Sequence, residues 1–215
     1  MEWSLIEVAD HRRCETRLGL APKPRVLARI VGGVSRWYRA LWVIMALQRL
    51  REVALSRRLS RDLKGEAAAP GSFPAMVAAH VGLFVIPPIE LRVTGCRPRA
   101  PLLWVFLLLG ATGLRWWSIR SLGPQWNIQA VVPTGLRPVA TGPYRWIRHP
   151  NYLAVILEFA ALPMGAGAWR SAAGLSLLNA AVLRDRIQAE EALLAKVPGY
   201  GELFSSKARF IPHVY

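Results

Sequence analysis

Long apolar runs alternate with short charged stretches along the chain, and this alternation sets the elements before any single residue does. About 20 consecutive apolar residues cross a hydrocarbon core as a helix, and residues 73–91 and 101–119 meet that requirement cleanly. A third run, 151–169, comes after a polar loop, and a fourth, 172–183, spans only if its helix extends into polar sequence. An earlier run, 37–50, is interrupted by Arg39 and Arg49. The pattern predicts an all-α integral membrane helical bundle with four or five transmembrane helices.

Gly165 and Gly167 interrupt the apolar sequence between the third and fourth runs, where a tight helical hairpin would turn. Helices joined this way enter and leave on one side, so the loop before Asn151 should lie near the segment that begins after Leu183. In that segment, RDRIQAEEALLAKVPGYGELF, the helical pattern continues into charge and stops near Pro198 and Gly199. Arg186 and Glu190 share a face of that helix, whereas Glu191 points about 100° away.

The loop reads GPYRWIRHPNY, residues 142–152. Pro150 suits the first turn of a helix, which places Arg148 and His149 just before a helix N-terminus, where an anionic group is favoured. Cations beside a membrane helix also commonly meet lipid phosphates. Glu190 shifts the balance, because a carboxylate folded back onto arginines, an imidazole and tyrosine hydroxyls suits a zwitterionic ligand. The plainer alternative for Glu190 and Glu191 is a solvated helix face, with an Arg186–Glu190 pair worth a few tenths of a kcal/mol. Glu158 lies inside an apolar run, where an unpaired carboxylate costs several kcal/mol, so an arginine of a neighbouring helix is its expected partner.

Composition agrees with a membrane protein: 53% of the 215 residues are hydrophobic, above the usual share for a soluble domain. The net charge of +15 comes from basic residues that flank the apolar runs without building a basic face interleaved with aromatics, so membrane lipids rather than nucleic acid are the expected partners. Cys14 and Cys96 show neither CxxC spacing nor a second ligand nearby, so neither a zinc site nor a disulfide framework is expected and both read as bystanders. The first residues, MEWSLIEVADHRRCE, lack the apolar core of a signal peptide, which leaves targeting to the internal segments. Residues 1–35 read as a basic N-terminal tail, 36–215 as the membrane domain, and 57–71 as a charged surface segment. Trp116, Trp117, Trp126 and Trp146 fall near predicted helix ends and read as interfacial anchors.

GPYRWIRHPNY, with RIQAEE downstream and RFIP near the end, resembles the isoprenylcysteine carboxyl methyltransferase family of integral membrane enzymes. The resemblance covers residues 102–212, and it lies in the joint spacing of these motifs. Upstream, LQRLREVALSRR and WSIRSLGPQWN look like the bacterial branch that methylates alkylpyrones or alkylresorcinols. It implies S-adenosylmethionine as cofactor, bound by Gln129, Val139, Tyr144, His149, Tyr152 and Glu190 in a C-terminal cofactor-binding region. It also implies that Arg186 faces the methyl acceptor and that Arg148, of the RHP motif, belongs to the same pocket. Where eukaryotic members carry a histidine before the loop, this chain reads Leu136-Arg137-Pro138-Val139, so backbone groups are expected to take over those contacts. No G-x-G-x-x-G follows a predicted strand, in keeping with a cofactor site unlike the soluble Rossmann type.

The implied acceptor is a lipophilic small molecule or a prenylcysteine. A carboxylate acceptor needs no base and could be oriented bidentately by Arg186; a hydroxyl needs a proton acceptor, for which His149 or a glutamate is placed. Other classes fit the same apolar pattern: a non-catalytic membrane scaffold, a sterol-type reductase, or a phospholipid N-methyltransferase, whose amine acceptor calls for an anionic or aromatic cage that the sequence does not make evident. A cytosolic cofactor places the loop 121–150 and the C-terminal tail in the cytoplasm.

Overall fold

The computed structural model describes residues 36–61, 63–96, 98 and 100–212, so the basic tail assigned to residues 1–35 lies outside them. Its elements are α1 (Arg36–Leu59), β1 (Gly65–Ala67), α2 (Phe73–Thr94), α3 (Pro101–Leu122), β2 (Val131–Pro133), α4 (Pro150–Ala166), α5 (Trp169–Leu194) and α6 (Tyr200–Phe204). Single 3-10 turns stand at Pro70–Ser72, Gly123–Gln125 and Gly142–Arg145.

Among the described residues, two helical stretches, Pro70–Thr94 and Pro101–Gln125, are long and apolar enough to cross a membrane. Their outward faces carry Val81, Ile89, Val93, Leu102, Phe106 and Leu109, all exposed. Water would penalise so continuous an apolar surface, whereas lipid tails cover it without cost. The inward faces, with Leu83 and Leu108, close on Phe159 and Leu162 of α4 and Leu175 of α5.

The expected hairpin forms. Helix α4 stops at Ala166, Gly167 turns the chain at φ 91°, and α5 starts at Trp169. Only a residue without Cβ enters that left-handed region freely. The first turn of α5 has no side-chain cap of its own. Glu90 of α2 supplies one across the bundle, accepting from the backbone N–H of Arg170 at 3.1 Å and Ser171 at 2.6 Å and from the Ser171 hydroxyl at 2.5 Å.

Arg49 and Glu52 of α1 point inward and join Arg115 of α3 and Glu158 of α4 in one buried cluster. Arg115 Nε donates to Glu52 at 2.8 Å, and Arg49 bonds both glutamates. Glu158 thus has the arginine partner expected of it. With two cations and two carboxylates the cluster is neutral, the arrangement that makes charge tolerable in an apolar bundle.

Helix α5 ends at Leu194, short of the expected stop at Pro198, because the chain leaves the helix in a turn and reaches Gly199 at φ 76°. The surface segment 57–71 contains a strand the hydropathy pattern did not announce. β1 pairs antiparallel with β2, Gly65 opposite Pro133 and Ala67 opposite Val131. A Cβ at Gly65 would lie 2.2 Å from the Val132 carbonyl oxygen, so the ribbon closes only on glycine. Cys96, in the turn between α2 and α3, is disulfide-bonded, which corrects its reading as a bystander; Cys14 lies outside the described residues.

Candidate functional site

Where β2, the segment before α4 and the C-terminal part of α5 converge, they line a cleft open to solvent. Its walls combine Trp126, Asn127, Leu136 to Val139, Tyr144, Arg148, His149, Tyr152 and Glu190, with Tyr200 and Phe204 of α6 closing one end.

The segment before α4 owes its path to Gly142. Its φ is 59°, and a Cβ there would meet Ser121 Oγ at 2.0 Å and Trp117 Nε1 at 3.0 Å. Gly142→Ala is therefore expected to cost roughly 1 to 3 kcal/mol, seen as a lower unfolding midpoint in detergent together with weaker ligand binding in the cleft. From this turn the chain presents Tyr144 and then reaches α4, whose proline at the first turn leaves no orphan N–H there.

Two adjacent glutamates of α5 serve opposite walls. Glu190 faces the cleft and accepts a 2.6 Å hydrogen bond from the Tyr152 hydroxyl. Tyr144 and Tyr200 lie beside it. Burial raises both phenols' pKa values and the Glu190 charge raises them further, Tyr200 to about 12, so both stay neutral donors at physiological pH. Glu190 is thus a single carboxylate among neutral phenols, with the indole of Trp126 in the same cleft.

Glu191 turns the other way and collects cations: His149 Nε2 at 3.0 Å, Arg148 Nη1 at 3.2 Å and Arg209 Nη2 at 2.6 Å. The RFIP tail runs beside the loop, with the Arg148 and His149 N–H groups donating to the carbonyls of Ala208 and Arg209 at 2.9 and 3.0 Å. Glu191 therefore fastens loop, helix and tail, a role the sequence reading, which gave it only a neighbour's place, missed. The basic residue in RFIP was the available signal.

Partial burial alone would raise the Glu191 carboxyl pKa, but hydrogen bonds from His149 and Arg209 and the nearby Arg148 charge outweigh it and bring it down to about 2. A carboxyl held below its unfolded value stabilises the folded state above that value and loses the contribution as pH falls toward the folded one. Protection of the Arg148 and His149 amides from hydrogen exchange is accordingly expected to stay flat from pH 8 to about 5, relative to intrinsic rates, and to fall between roughly pH 4.5 and 2. Glu191→Gln should remove that acid limb.

Of the residues carried over by resemblance, Val139, Tyr144, Arg148, His149, Tyr152 and Glu190 line the cleft. Gln129 is exposed in the turn before β2, and its neighbours Asn127 and Ala130 take the lining positions. Arg186 is 1% exposed and does not line the cleft. Rather than pairing with Glu190 along the helix, it donates to the Ile128 carbonyl at 3.0 Å, and its Nε and Nη1 find no partner. The Ile128 N–H is held in turn by Ser56 of α1 at 3.0 Å, so Arg186 and Ser56 together fix the segment leading into β2. Trp126, read as an interfacial anchor, is instead 2% exposed and part of the cleft wall. Trp117 and Trp146 are exposed and meet edge to face at 5.5 Å, as anchors at a membrane surface do.

A model of the isoprenylcysteine carboxyl methyltransferase (ICMT) family matches residues 103–196, which takes in α3, the cleft-forming segment and the α4–α5 hairpin. A protein of Bacillus subtilis (strain 168), Uncharacterized protein YpbQ, is 31% identical over 160 residues, covering 71% of this chain and 95% of that one.

Proposed function

The chain belongs to the isoprenylcysteine carboxyl methyltransferase family, a family of membrane methyltransferases, and on that premise we propose that it moves a methyl group from S-adenosylmethionine to a lipophilic acceptor at the membrane surface. The observation that carries this reading is Glu190 among neutral phenols. A carboxylate ringed by aromatic faces suits a cation, and the cofactor brings both a sulfonium and an ammonium. Arg148, on the opposite wall, suits its carboxylate. Trp126 Nε1, Arg148 Nε and Asn151 Oδ1, all on cleft-lining residues, have no partner among the described residues, as befits donors and acceptors waiting for a polar ligand.

Bound there, the cofactor would supply an activated methyl on sulfur; the chain supplies position. Glu190, Tyr152 and Arg148 hold the polar ligand, and Leu136 to Val139 offer backbone contacts where other members carry a histidine. Nε2 of His149, donating to Glu191, fixes the tautomer with a free lone pair on Nδ1, the arrangement a general base requires. Arg186, buried behind the cleft wall, supports the site from behind by holding the Ile128 carbonyl in the segment that leads into β2. The acceptor is a hydroxyl of an alkylpyrone or alkylresorcinol type, with a prenylcysteine carboxylate as the competing class. An amine acceptor fits less well, since the cage around Glu190 serves the cofactor's own cation.

The helices read as five spans, α1 included because its charges are turned inward and neutralised. The cleft then faces the cytoplasm, where the cofactor is made, and the N-terminus lies outside. The disulfide at Cys96, at the opposite end of the bundle, suits an oxidising compartment.

Membranes containing the purified protein, given methyl-labelled cofactor with an alkylpyrone, an alkylresorcinol and a prenylcysteine analogue, test the assignment. Labelled methyl ether is expected, formed faster as pH rises through ionisation of base or acceptor and depressed by His149→Ala. Methyl ester on the prenylcysteine with no ether would reverse the acceptor class.

A further inference from the structure

A second concavity, of about 550 Å³, lies between α4 and α5 on the side of the hairpin covered by the C-terminal tail. It shares no lining residue with the cofactor cleft. Its inner wall is apolar, built by Ile156, Leu183 and Ile187 with Phe210 from the tail. At the cytoplasmic end of the same groove stand the cations Arg184 and Arg209. Glu191 occupies part of the Arg209 guanidinium, through Nε and Nη2, and leaves Nη1 to the groove. Arg184 is exposed and makes no ion pair among the described residues.

One polar group lies out of keeping with the apolar part. Asn179 is 2% exposed, lines the groove, and its amide makes no hydrogen bond among the described residues. An amide on the groove's lining with no partner among the described residues is open to one supplied by a ligand there. Along α5 it sits about 7.5 Å below Arg184, from the helical rise per residue. A ligand that satisfies the groove therefore carries an anionic group at the level of the arginines, a hydrogen-bonding group about 7.5 Å deeper, and apolar chains that continue along the exposed Leu177 and Leu178 of α5. A phospholipid has that order: phosphate, glycerol ester, acyl chain.

We propose that this groove holds one anionic phospholipid of the surrounding bilayer, its phosphate on Arg184 and Arg209 and an ester carbonyl on the Asn179 amide. Through Arg209 the lipid adjoins Glu191, which fastens Arg148 and His149, so occupancy of the groove supports the wall of the cofactor cleft.

The test uses the full chain, extracted in mild detergent from bilayers of phosphatidylcholine and phosphatidylglycerol, with retained lipid counted by native mass spectrometry. Wild type should keep one phosphatidylglycerol in preference to phosphatidylcholine. Arg184→Gln, an exposed change that leaves the fold intact, and Asn179→Ala should each lower retention roughly fivefold or more, the loss of one hydrogen bond to a charged or buried partner. Equal retention of both lipids, or no change in the Arg184 variant, would overturn the proposal. So would one-for-one displacement of the phospholipid by an alkylresorcinol, which would make the groove the acceptor's.

Discussion

Glu158→Ala is expected to cost about 3 to 5 kcal/mol of folding stability, the penalty of stranding a buried charge. Its carboxylate lies within the bundle against Arg49, with Arg115 at 3.9 Å, and no water or lipid headgroup can take its place. The alanine variant leaves two arginines facing Glu52 alone. Thermal or detergent-titrated unfolding in micelles measures the loss. The double variant Arg49→Met with Glu158→Leu removes one cation and one anion and leaves the Arg115–Glu52 pair at 2.8 Å, so it should recover most of the stability. If the double variant is as unstable as the single, the cost comes from packing and not from charge.

Glu190→Gln is expected to weaken cofactor affinity by roughly 1 to 3 kcal/mol, or about 5- to 150-fold in Kd, the range for a hydrogen bond to a charged group. The change keeps size and removes the one negative charge among Tyr144, Tyr152 and Tyr200. Glu191→Gln should act differently, because it holds His149, Arg148 and Arg209 instead of facing the cleft. Its effect on affinity should be the smaller one, while trypsin should cut more readily at Arg209 as the tail loosens. A larger affinity loss at Glu191 would place the wrong glutamate in the cleft.

Much of this arrangement was legible in the residues. Gly165 and Gly167 announced the hairpin, the four-residue spacing put Glu190 on the loop side of α5, and Glu158, an acid within an apolar run, announced its arginine. Hydropathy was a poor guide where charge pairs across helices. Arg49 and Glu52 lowered the apolar character of α1, although both point inward and neutralise partners on α3 and α4, which a window along one segment does not register. The β1–β2 ribbon joins residues far apart in sequence across strands too short to show alternation. Trp126 was misplaced because indole favours both headgroups and pocket walls, and the turn after α3 decides between them. The role of Glu191 depends on a tail that returns to the loop, a contact invisible to helical periodicity.

Calorimetric titration of S-adenosylmethionine and its demethylated product into the protein in nanodiscs, with Glu190→Gln alongside, tests the central claim most directly. Saturable binding of one molecule per chain by the wild type, weakened in the variant while the unfolding midpoint is unchanged, is the result predicted. A folded wild type that takes up neither molecule, or a variant that binds both as tightly, would contradict the assignment of the cleft.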